Sequence, residues 1–393
     1  MKRVLIILPL ALLGEDSILS TLKQKEFDID YSKSSIESKK LRDSWINPIN
    51  MSYIYNKNDE YSQSQTTKSF RIYLDQPIFK SGGIYFAIKY ANANKKYSNL
   101  NITQQKKALI SEALKLLYNY NKTKLLLKKQ ELLIKNAKID VLRKKEQYLS
   151  GVIDSSFLDR AILTKNQNEL KYIELKSSLE DIYNSFKNIS DKDPNTLKMP
   201  HFKLISEDNF INKNILLKKT KEDLRAKKYF KNMTISRYLP SFSLTASYNK
   251  QDASKSSFAP SGKEDYKEYG FKITMPLFDI NSFRNIENTK LDYLKSRLIS
   301  QDKKREQKNL YKNIVKKLKL IDKKVELAKE DILLYKKLYK DTEDRFKAGE
   351  KTIYDVQTMK NSLMSRKIDI KIYKIEKDLI LLNLYKMVED GKV

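Results

Sequence analysis

Gln76-Pro77-Ile78-Phe79 returns in the second half of the chain as Met275-Pro276-Leu277-Phe278. A long run without glycine or proline begins shortly after each stretch, and the two runs end at Gly151 and Gly349. The closing glycines are 198 positions apart and the two prolines 199. Self-similarity at a nearly fixed offset is the signature of an internal repeat. The sequence therefore predicts two halves with one architecture: a strand-like entry, a very long helix, a glycine turn and a second helix.

Both long runs carry apolar residues with a mean period of 3.5, which is the seam of a coiled coil. Subtracting 198 from alternate seam positions of the second run gives the seam positions of the first, so the two halves are in phase. The seam consists of Ala113, Tyr120, Leu127, Ile134 and Val141 in the first run, and of Tyr311, Ile314, Leu318, Ile321, Val325, Ala328, Ile332, Tyr335 and Tyr339 in the second.

Each long helix is expected to end in a turn at its glycine. Gly151 and Gly349 suit the left-handed position that follows a helix C-terminus. Asp154 or Ser155 in the first half, and Thr352 in the second, can then cap the next helix, because a side-chain oxygen accepts a hydrogen bond from a free N–H group of the first turn. Each half should therefore contain a hairpin of two long antiparallel helices.

Before each long run the apolar residues have a period of two, which is typical of β-strands. This alternation covers residues 45–56 and 70–74 in the first half, and 242–248 and 269–275 in the second. The polar stretch 57–68 and the stretch with Pro260 and Gly262 are expected to be loops. We therefore predict β-hairpins at about 45–79 and about 240–278. Two-faced strands of roughly ten residues occur both in soluble sheets and across outer membranes.

The N-terminus predicts a secretory signal peptide. Lys2 and Arg3 precede an apolar run from Val4 to Leu13, which Gly14 follows. Such a run is too short for a transmembrane helix, and the alternative is a buried N-terminal helix. The predicted organisation is a signal peptide at 1–14, a first repeat at 15–200 and a second repeat at 201–393, each with a short helix, a β-hairpin and a long helical hairpin.

Composition argues against an enzyme. The chain of 393 residues has no cysteine and a single histidine, His201, so disulfides, thiol nucleophiles, histidine triads and Cys/His metal sites lack their parts. Neither a Gly-rich phosphate loop nor a nucleophile–base set is present. We expect no catalytic residue, no metal site and no cofactor. The net charge of +29 suggests an anionic partner, but the lysines are mixed with acidic residues, as on solvated helices.

Four strands cannot close a barrel that satisfies every backbone group in lipid, because the smallest closed barrels have about eight. If the strands cross a membrane, several chains must combine them. The helices would then form a tube coaxial with the barrel.

The duplicated order of signal peptide, strand hairpin, proline-containing entry, long helix, glycine turn and returning helix resembles the TolC family of outer-membrane efflux and secretion ducts. Leu239-Pro240-Ser241-Phe242-Ser243-Leu244 stands before the third strand as in that family. Gly349-Glu350-Lys351-Thr352-Ile353-Tyr354-Asp355-Val356 is similar to the turn at the family's periplasmic tip.

The resemblance implies a mainly α fold with a small β part. Long, internally duplicated α-helical hairpins would form an α-barrel, and four transmembrane β-strands per chain would contribute to a trimeric twelve-stranded β-barrel. It implies a homotrimer in the outer membrane of a Gram-negative bacterium, in contact with outer-membrane lipid and extending into the periplasm. The trimer would be the passive exit duct of a tripartite efflux pump or a type I secretion system. Its partners would be a periplasmic adaptor (membrane fusion protein) and an inner-membrane transporter of the RND or ABC type, with no nucleic acid.

The resemblance also assigns functional residues. Asp355 matches an aspartate of the ring that narrows the family's inner entrance, and Lys351 matches a basic residue that helps to hold the tip shut. Thr358 falls where the family has a second ring aspartate, and Phe157 occupies the place of Asp355 in the first half. Three clustered Asp355 carboxylates would have raised pKa values and attract cations; the alternative is a solvated acid in the first turn of a helix. Further expected sites are the tip turns that contact the adaptor, at Gly151, Asp154, Gly349 and Thr352, and the lipid-facing strand positions Phe242, Leu244, Tyr248, Phe271 and Ile273.

Two other functions fit parts of the sequence. A soluble periplasmic coiled-coil scaffold or adaptor subunit explains the heptads but not the four alternating strands. A basic coiled-coil protein that binds nucleic acid explains the charge, but it requires a retained N-terminus and a cytoplasmic location.

Overall fold

The computed structural model describes residues 18–60, 63–253 and 262–389. The predicted signal peptide at 1–14 and the predicted loop around Pro260 lie outside these ranges. The elements in chain order are α1 (Thr21–Arg42), β1 (Asn50–Glu60), β2 (Gln63–Phe79), α2 (Gly83–Leu149), α3 (Ser155–Lys187), α4 (Glu207–Lys213), α5 (Ile215–Ser236), β3 (Ser241–Ala253), β4 (Gly262–Thr274), α6 (Ile280–Lys347) and α7 (Ile353–Tyr385). This order confirms the predicted mainly α fold with four strands.

The two longest helices, α2 with 67 residues and α6 with 68, lie where the heptad runs predicted them. Each is followed by a returning helix of 33 residues, α3 or α7. The predicted seam is largely inside the helix packing. Its buried members are Ala113, Tyr120, Tyr311, Ile314, Leu318, Ile321 and Ala328, and the others are half-buried.

Side-chain contacts arrange the long helices in the order α3–α2–α7–α6. Gln130 of α2 donates to Asn168 of α3 at 2.8 Å. Lys122 of α2 contacts Glu376 of α7 at 2.6 Å. Lys377 of α7 contacts Asp322 of α6 at 2.7 Å. The helices α3 and α6 therefore form the two edges of this row.

The strands form one antiparallel sheet in the order β1–β2–β3–β4. The hairpin β1–β2 is paired from Asn50 with Tyr73 to Glu60 with Gln63. The expectation of a loop at 57–68 was therefore wrong, since most of this polar stretch is strand. Backbone hydrogen bonds hold a hairpin ladder whatever the polarity of its side chains, so the strands continue beyond the region of apolar alternation.

The chain divides into two compact units that do not follow the predicted repeats. Among the described residues, one unit lies within Met1–Asp28, Thr103–Ile215 and Lys304–Val393, and the other lies within Ile29–Ile102 and Leu216–Lys303. Each unit takes residues from both halves of the sequence, and the second contains the whole sheet. The division into repeats at 15–200 and 201–393 stays a prediction about sequence organisation.

Within residues 18–60, 63–253 and 262–389, no helix is both long enough and apolar enough to cross a membrane.

Candidate functional site

The two helical turns have the same backbone geometry. Gly151 has a φ of 72° and Gly349 a φ of 79°. The N–H of Gly349 donates to the carbonyl of Phe346 at 3.0 Å, and the N–H of Glu350 donates to the carbonyl of Arg345 at 2.9 Å. The turn at Gly151 makes the same two hydrogen bonds at positions lower by 198. These bonds satisfy carbonyls at the end of α2 and of α6, as a glycine C-cap does.

The two returning helices begin with different caps. Asp154 caps α3, because its carboxylate accepts a hydrogen bond from the N–H of Ser156 at 2.9 Å. That bond, together with one from the Ser155 hydroxyl, holds the pKa of Asp154 below its ordinary value. Thr352 caps α7 in a reciprocal capping box with Asp355, in which each side chain accepts from the backbone N–H of the other residue.

The carboxylate of Asp355 also forms an ion pair with Arg143 of α2. Partial burial raises the pKa of Asp355, but the N–H and hydroxyl of Thr352 and the guanidinium of Arg143 outweigh it and lower the pKa to about 2. In the single chain the shift is therefore opposite to the one expected for a ring of carboxylates. The cap and the ion pair both fix the first turn of α7 beside α2.

The structure brings Asp355 of the expected gate against Thr352, an expected tip residue, whereas the other expected gate residues, Lys351 and Thr358, are not part of this capping box. The side chain of Lys351 is exposed in the turn. The hydroxyl of Thr358 donates to the carbonyl of Tyr354 at 2.8 Å within its own helix. The carbonyl of Thr358 accepts from Asn136 of α2 at 3.4 Å.

Sequence reasoning missed Arg143, which belongs to a ladder of polar contacts between α2 and α7. The ladder members recur every seven residues on both helices and run in opposite directions, as antiparallel heptads do. The side-chain pairs are Lys122 with Glu376 at 2.6 Å, Lys129 with Asp369 at 2.6 Å, Asn136 with Ser362 at 3.3 Å, and Arg143 with Asp355. The seven-residue spacing of these polar side chains on α2 and on α7 is the signal that the sequence offers for the ladder.

The sheet has one apolar and one polar face. The register pairs Phe242 with Ile273 and Leu244 with Phe271, so these residues share a face. Phe271 is 71% exposed and Ile273 67%. Tyr248 lies on the same face, where its ring packs edge-on against Phe70 of β2. All five strand positions predicted to face lipid therefore lie on one side of the sheet; their contact with lipid stays a prediction.

The opposite face of the sheet carries mainly small and charged side chains, together with Ile54, Tyr73 and Tyr266. Ser243 and Ser247 are buried there. Lys272 of β4 contacts Asp75 of β2 at 2.5 Å, and Ser247 donates to Glu268 at 2.8 Å. Strands with one polar and one exposed apolar face are the pattern of transmembrane barrels that enclose water.

Among the described residues no group of three or more His, Cys, Asp or Glu side chains could hold a metal ion. His201 contacts Asp378 of α7 at 2.9 Å and is 81% exposed.

Several solved structures with the same architecture are outer-membrane proteins. The outer membrane protein VceC of Vibrio cholerae has a TM-score of 0.75 over 93% of both chains at 10% sequence identity. The chain has the TolC-family channel fold. The outer membrane channel CmeC of Campylobacter jejuni has a TM-score of 0.73 at 16% identity, over 95% of this chain and 84% of that one.

A third structure with this fold is the open state of the outer membrane channel MtrE of Neisseria gonorrhoeae. Its TM-score is 0.69 at 14% identity, over 95% of this chain and 86% of that one. No model of a protein family matches the sequence. No curated protein sequence matches it either. The resemblance expected from the repeated motifs is thus confirmed at the level of the fold.

Proposed function

We propose that the protein is a passive exit duct in the outer membrane of a Gram-negative bacterium, extends into the periplasm and catalyses no reaction. The observation that carries this proposal is the exposed apolar face of a four-stranded sheet whose outer strands, β1 and β4, each pair with only one strand in the part of the chain that the structure describes. Lipid would cover the apolar face, and strands of other copies would satisfy the two edges.

The helices also favour association with other copies of the chain. α2 pairs with α7 through the polar ladder, whereas α3 and α6 are the edges of the helix row. Adding 198 to ladder positions 122, 129 and 136 of α2 gives three leucines of α6, all at least 55% exposed. They are Leu320, Leu327 and Leu334. Leu163 and Leu170 on α3 are also exposed and seven residues apart. An apolar contact between α6 of one copy and α3 of the next would cover both rows of leucines.

A homotrimer is the assembly we propose, with four strands from each chain in a twelve-stranded barrel. The helical turns at Gly151 and Gly349, with Asp154 and Thr352, would face a periplasmic adaptor. An inner-membrane transporter of the RND or ABC type would supply the cargo. The system would be a tripartite efflux pump or a type I secretion system.

The gate is proposed to lie at the turn before α7. Asp355 would narrow the entrance. Lys351 would lie in the turn before α7, and Thr358 would lie in α7, three residues after Asp355. Pairing with Arg143 would hold α7 against α2, and loss of that ion pair would free the first turn of α7 to move. Neutralising Asp355 should therefore change both the resting conductance and the block of the pore by cations.

Purification followed by recording in planar lipid bilayers tests the function. We expect a detergent-dependent trimer that dissociates only on heating and gives stepwise conductance. Phe271→Lys should reduce insertion, because a cation on the lipid face costs about 2–4 kcal/mol at mid-membrane. Asn249→Lys, on the polar face of the neighbouring strand, is the matched control. A monomer that is soluble without detergent and gives no conductance would contradict the proposal and favour a periplasmic scaffold.

A further inference from the structure

A cavity of about 360 Å³ lies where the sheet meets the helices of its unit. Its lining residues come from four junctions between helix and strand: the end of α1, the β2–α2 turn, the end of α5 and the start of β3. Under the proposed function, these junctions lie at the periplasmic boundary of the membrane. The cavity would therefore open at the level of the phospholipid headgroups.

The charge of the lining is positive. Lys80 and Arg237 line the cavity, and its lining contains no aspartate or glutamate. Neither cation forms an ion pair with any residue in the described ranges. Asp43, which precedes the lining residue Ser44, is engaged by Arg42 at 2.7 Å, and Asp75, the acid nearest in sequence to Lys80, is engaged by Lys272 at 2.5 Å. Two unpaired cations beside one cavity favour an anion, and guanidinium groups bind phosphate with two parallel hydrogen bonds.

The hydroxyl groups of the lining are already engaged. Ser44 donates to the carbonyl of Leu41 at 2.8 Å. Ser236 donates to the carbonyl of Ser81 at 3.1 Å, and Ser241 donates to the carbonyl of Thr274 at 3.1 Å. The cationic side-chain donors left for a ligand are therefore the ammonium of Lys80 and the guanidinium of Arg237, and the indole N–H of Trp45 is a neutral donor beside them.

The rest of the lining is apolar and leads to the membrane-facing side of the sheet. Trp45, Ile84 and Leu239 line the cavity beside the cations. Phe79, next to Lys80, is 56% exposed and pairs with Phe242 on the apolar face. A ligand with a phosphate at one end and hydrocarbon at the other fits this gradient. Tryptophan is enriched at this level in membrane proteins because its ring is amphipathic.

The loop that carries Trp45 is fixed in place. Gln76 donates to the carbonyl of Trp45 at 3.3 Å and accepts from the N–H of Asn47 at 3.0 Å. Gln76 of the first repeated motif therefore positions one wall of the cavity. Gly83 allows the start of α2 to lie close to the end of α5, since a Cβ at position 83 would lie 3.2 Å from the Cβ of Ser236.

We propose that this cavity binds the headgroup of an anionic phospholipid of the periplasmic leaflet, with Lys80 and Arg237 on the phosphate and an acyl chain along Trp45 and Leu239. This site rests on the proposed membrane location. It would fix the height of each chain in the bilayer at the point where strands become helices. The bound class is a glycerophospholipid with net negative charge, such as phosphatidylglycerol.

Trp45 is the only tryptophan in the chain, so its fluorescence reports on this cavity alone. The purified full chain in detergent is titrated with phosphatidylglycerol that carries bromine near the top of its acyl chains, and separately with phosphatidylcholine brominated in the same way. We expect saturable quenching by phosphatidylglycerol at a mole fraction about tenfold lower than by phosphatidylcholine, because each basic residue near an anionic lipid surface adds a severalfold preference. Millimolar inorganic phosphate should leave this quenching unchanged.

The double variant Lys80→Ala/Arg237→Ala should lose the preference for the anionic lipid. The charge-conserving variant Lys80→Arg/Arg237→Lys should keep it, which separates loss of charge from loss of fold. Lys290→Ala/Arg297→Ala is the matched control, because these exposed residues of α6 carry the same charges and do not line the cavity.

Equal quenching by the two lipids, or an unchanged preference in Lys80→Ala/Arg237→Ala, would overturn the proposal. Displacement of the lipid by inorganic phosphate would also overturn it and assign the cavity to a free anion. Bilayer recording of the same preparation separates the two proposals. A protein that conducts but shows no lipid preference lacks only this site, whereas a protein that never inserts contradicts the exit duct itself.

Discussion

The carboxylate of Asp355 makes two contacts at once, one with the backbone of its own helix cap and one with a side chain of α2. One oxygen accepts from the N–H of Thr352 and the other pairs with Arg143. The first contact begins α7, and the second joins α7 to α2. Both favour the ionised carboxylate, and together they exceed the effect of partial burial.

The pKa of Asp355 predicts how the stability of the tip depends on pH. Its folded value of about 2 lies below the ordinary value of 3.8, so ionised Asp355 stabilises the fold. This contribution is fully present above about pH 5 and is lost as the pH falls from about 4 to about 2. Asp355→Asn should lower the free energy of unfolding at pH 7 by about 1–2 kcal/mol, because it removes a cap and an ion pair whose arginine is 35% exposed.

Thermal unfolding at pH 7 and at pH 3 measures this effect. The difference between the wild type and Asp355→Asn should shrink at the lower pH. Asp341→Asn, at an exposed acid that pairs with Arg345 on its own helix, is the control and should cost less than about 0.5 kcal/mol. A pH-independent difference for Asp355→Asn would show that the capping geometry, not the charge, stabilises the turn.

Position 349 requires glycine because of its backbone angle, and not because neighbouring atoms leave no space for a side chain. Its φ is 79°, and a Cβ there would have no atom within 4 Å. Gly349→Ala should therefore cost about 1 kcal/mol of unfolding free energy from left-handed strain alone. Gly262→Ala is the control, because its surroundings are equally open and it has no positive φ. Similar unfolding midpoints for the two variants would contradict this assignment.

At the scale of elements, two kinds of helix contact alternate along the chain. Tyr120 of the apolar seam packs against Tyr183 of α3, with 6.2 Å between the ring centroids, and the polar ladder holds α2 to α7. The ladder contains a well-buried acid, Asp369, whose side chain is 9% exposed beside Lys129. A charge pair in that setting favours this one alignment of α2 and α7, because in any other alignment each partner would be left without its counter-charge.

A double-mutant cycle on Lys129→Met and Asp369→Leu tests the ladder. Each single variant should lower the free energy of unfolding by about 2 kcal/mol or more, and the coupling energy should be about 1–2 kcal/mol. Arg366 lies 3.7 Å from Asp369 and will compensate in part. The exposed pair Lys171–Glu174 on α3 is the control, with an expected coupling below about 0.5 kcal/mol. Equal coupling in the two pairs would refute a special role for the ladder.

At the scale of the whole molecule, the sheet and the row of long helices each end in open edges. Backbone groups at the rims of β1 and β4 need partners, and the leucine rows of α3 and α6 need cover. Under the proposed function, association of identical chains would supply both, with each edge of one copy against the opposite edge of the next. Head-to-tail contacts of this kind generate a ring when the rotation closes.

Leu327→Lys should disrupt the assembly and leave the chain folded. Leu327 is 62% exposed, so the substitution should cost the isolated chain little, whereas a lysine inside an apolar contact between copies would be buried without a partner. We expect dissociation of the trimer on gels run without heating, with an unchanged helical signal in circular dichroism. Val152→Lys, at an exposed turn residue, is the control. A stable trimer of Leu327→Lys would exclude α6 as an interface.

Much of this architecture could be predicted from the sequence because its signals are local. Glycine-free heptads specify α2 and α6, alternation specifies most of the strands, and Gly151 and Gly349 specify the turns, since helix and strand periods and left-handed angles depend on neighbouring residues. The polar parts of β1 and β2 were not predicted to be strand. The backbone hydrogen bonds that extend these strands do not depend on the polarity of the side chains.

Only the tertiary structure decided which helix faces which. Arg143 meets Asp355 across 212 positions of sequence, and Lys80 and Arg237 line one cavity from opposite halves of the chain. No local pattern contains such pairs, because they arise only when α2 packs against α7 or when α5 ends beside the start of α2. The periodicity of a single segment determines its own shape and the face that it will bury, but the identity of a partner depends on packing between segments that are distant in the chain.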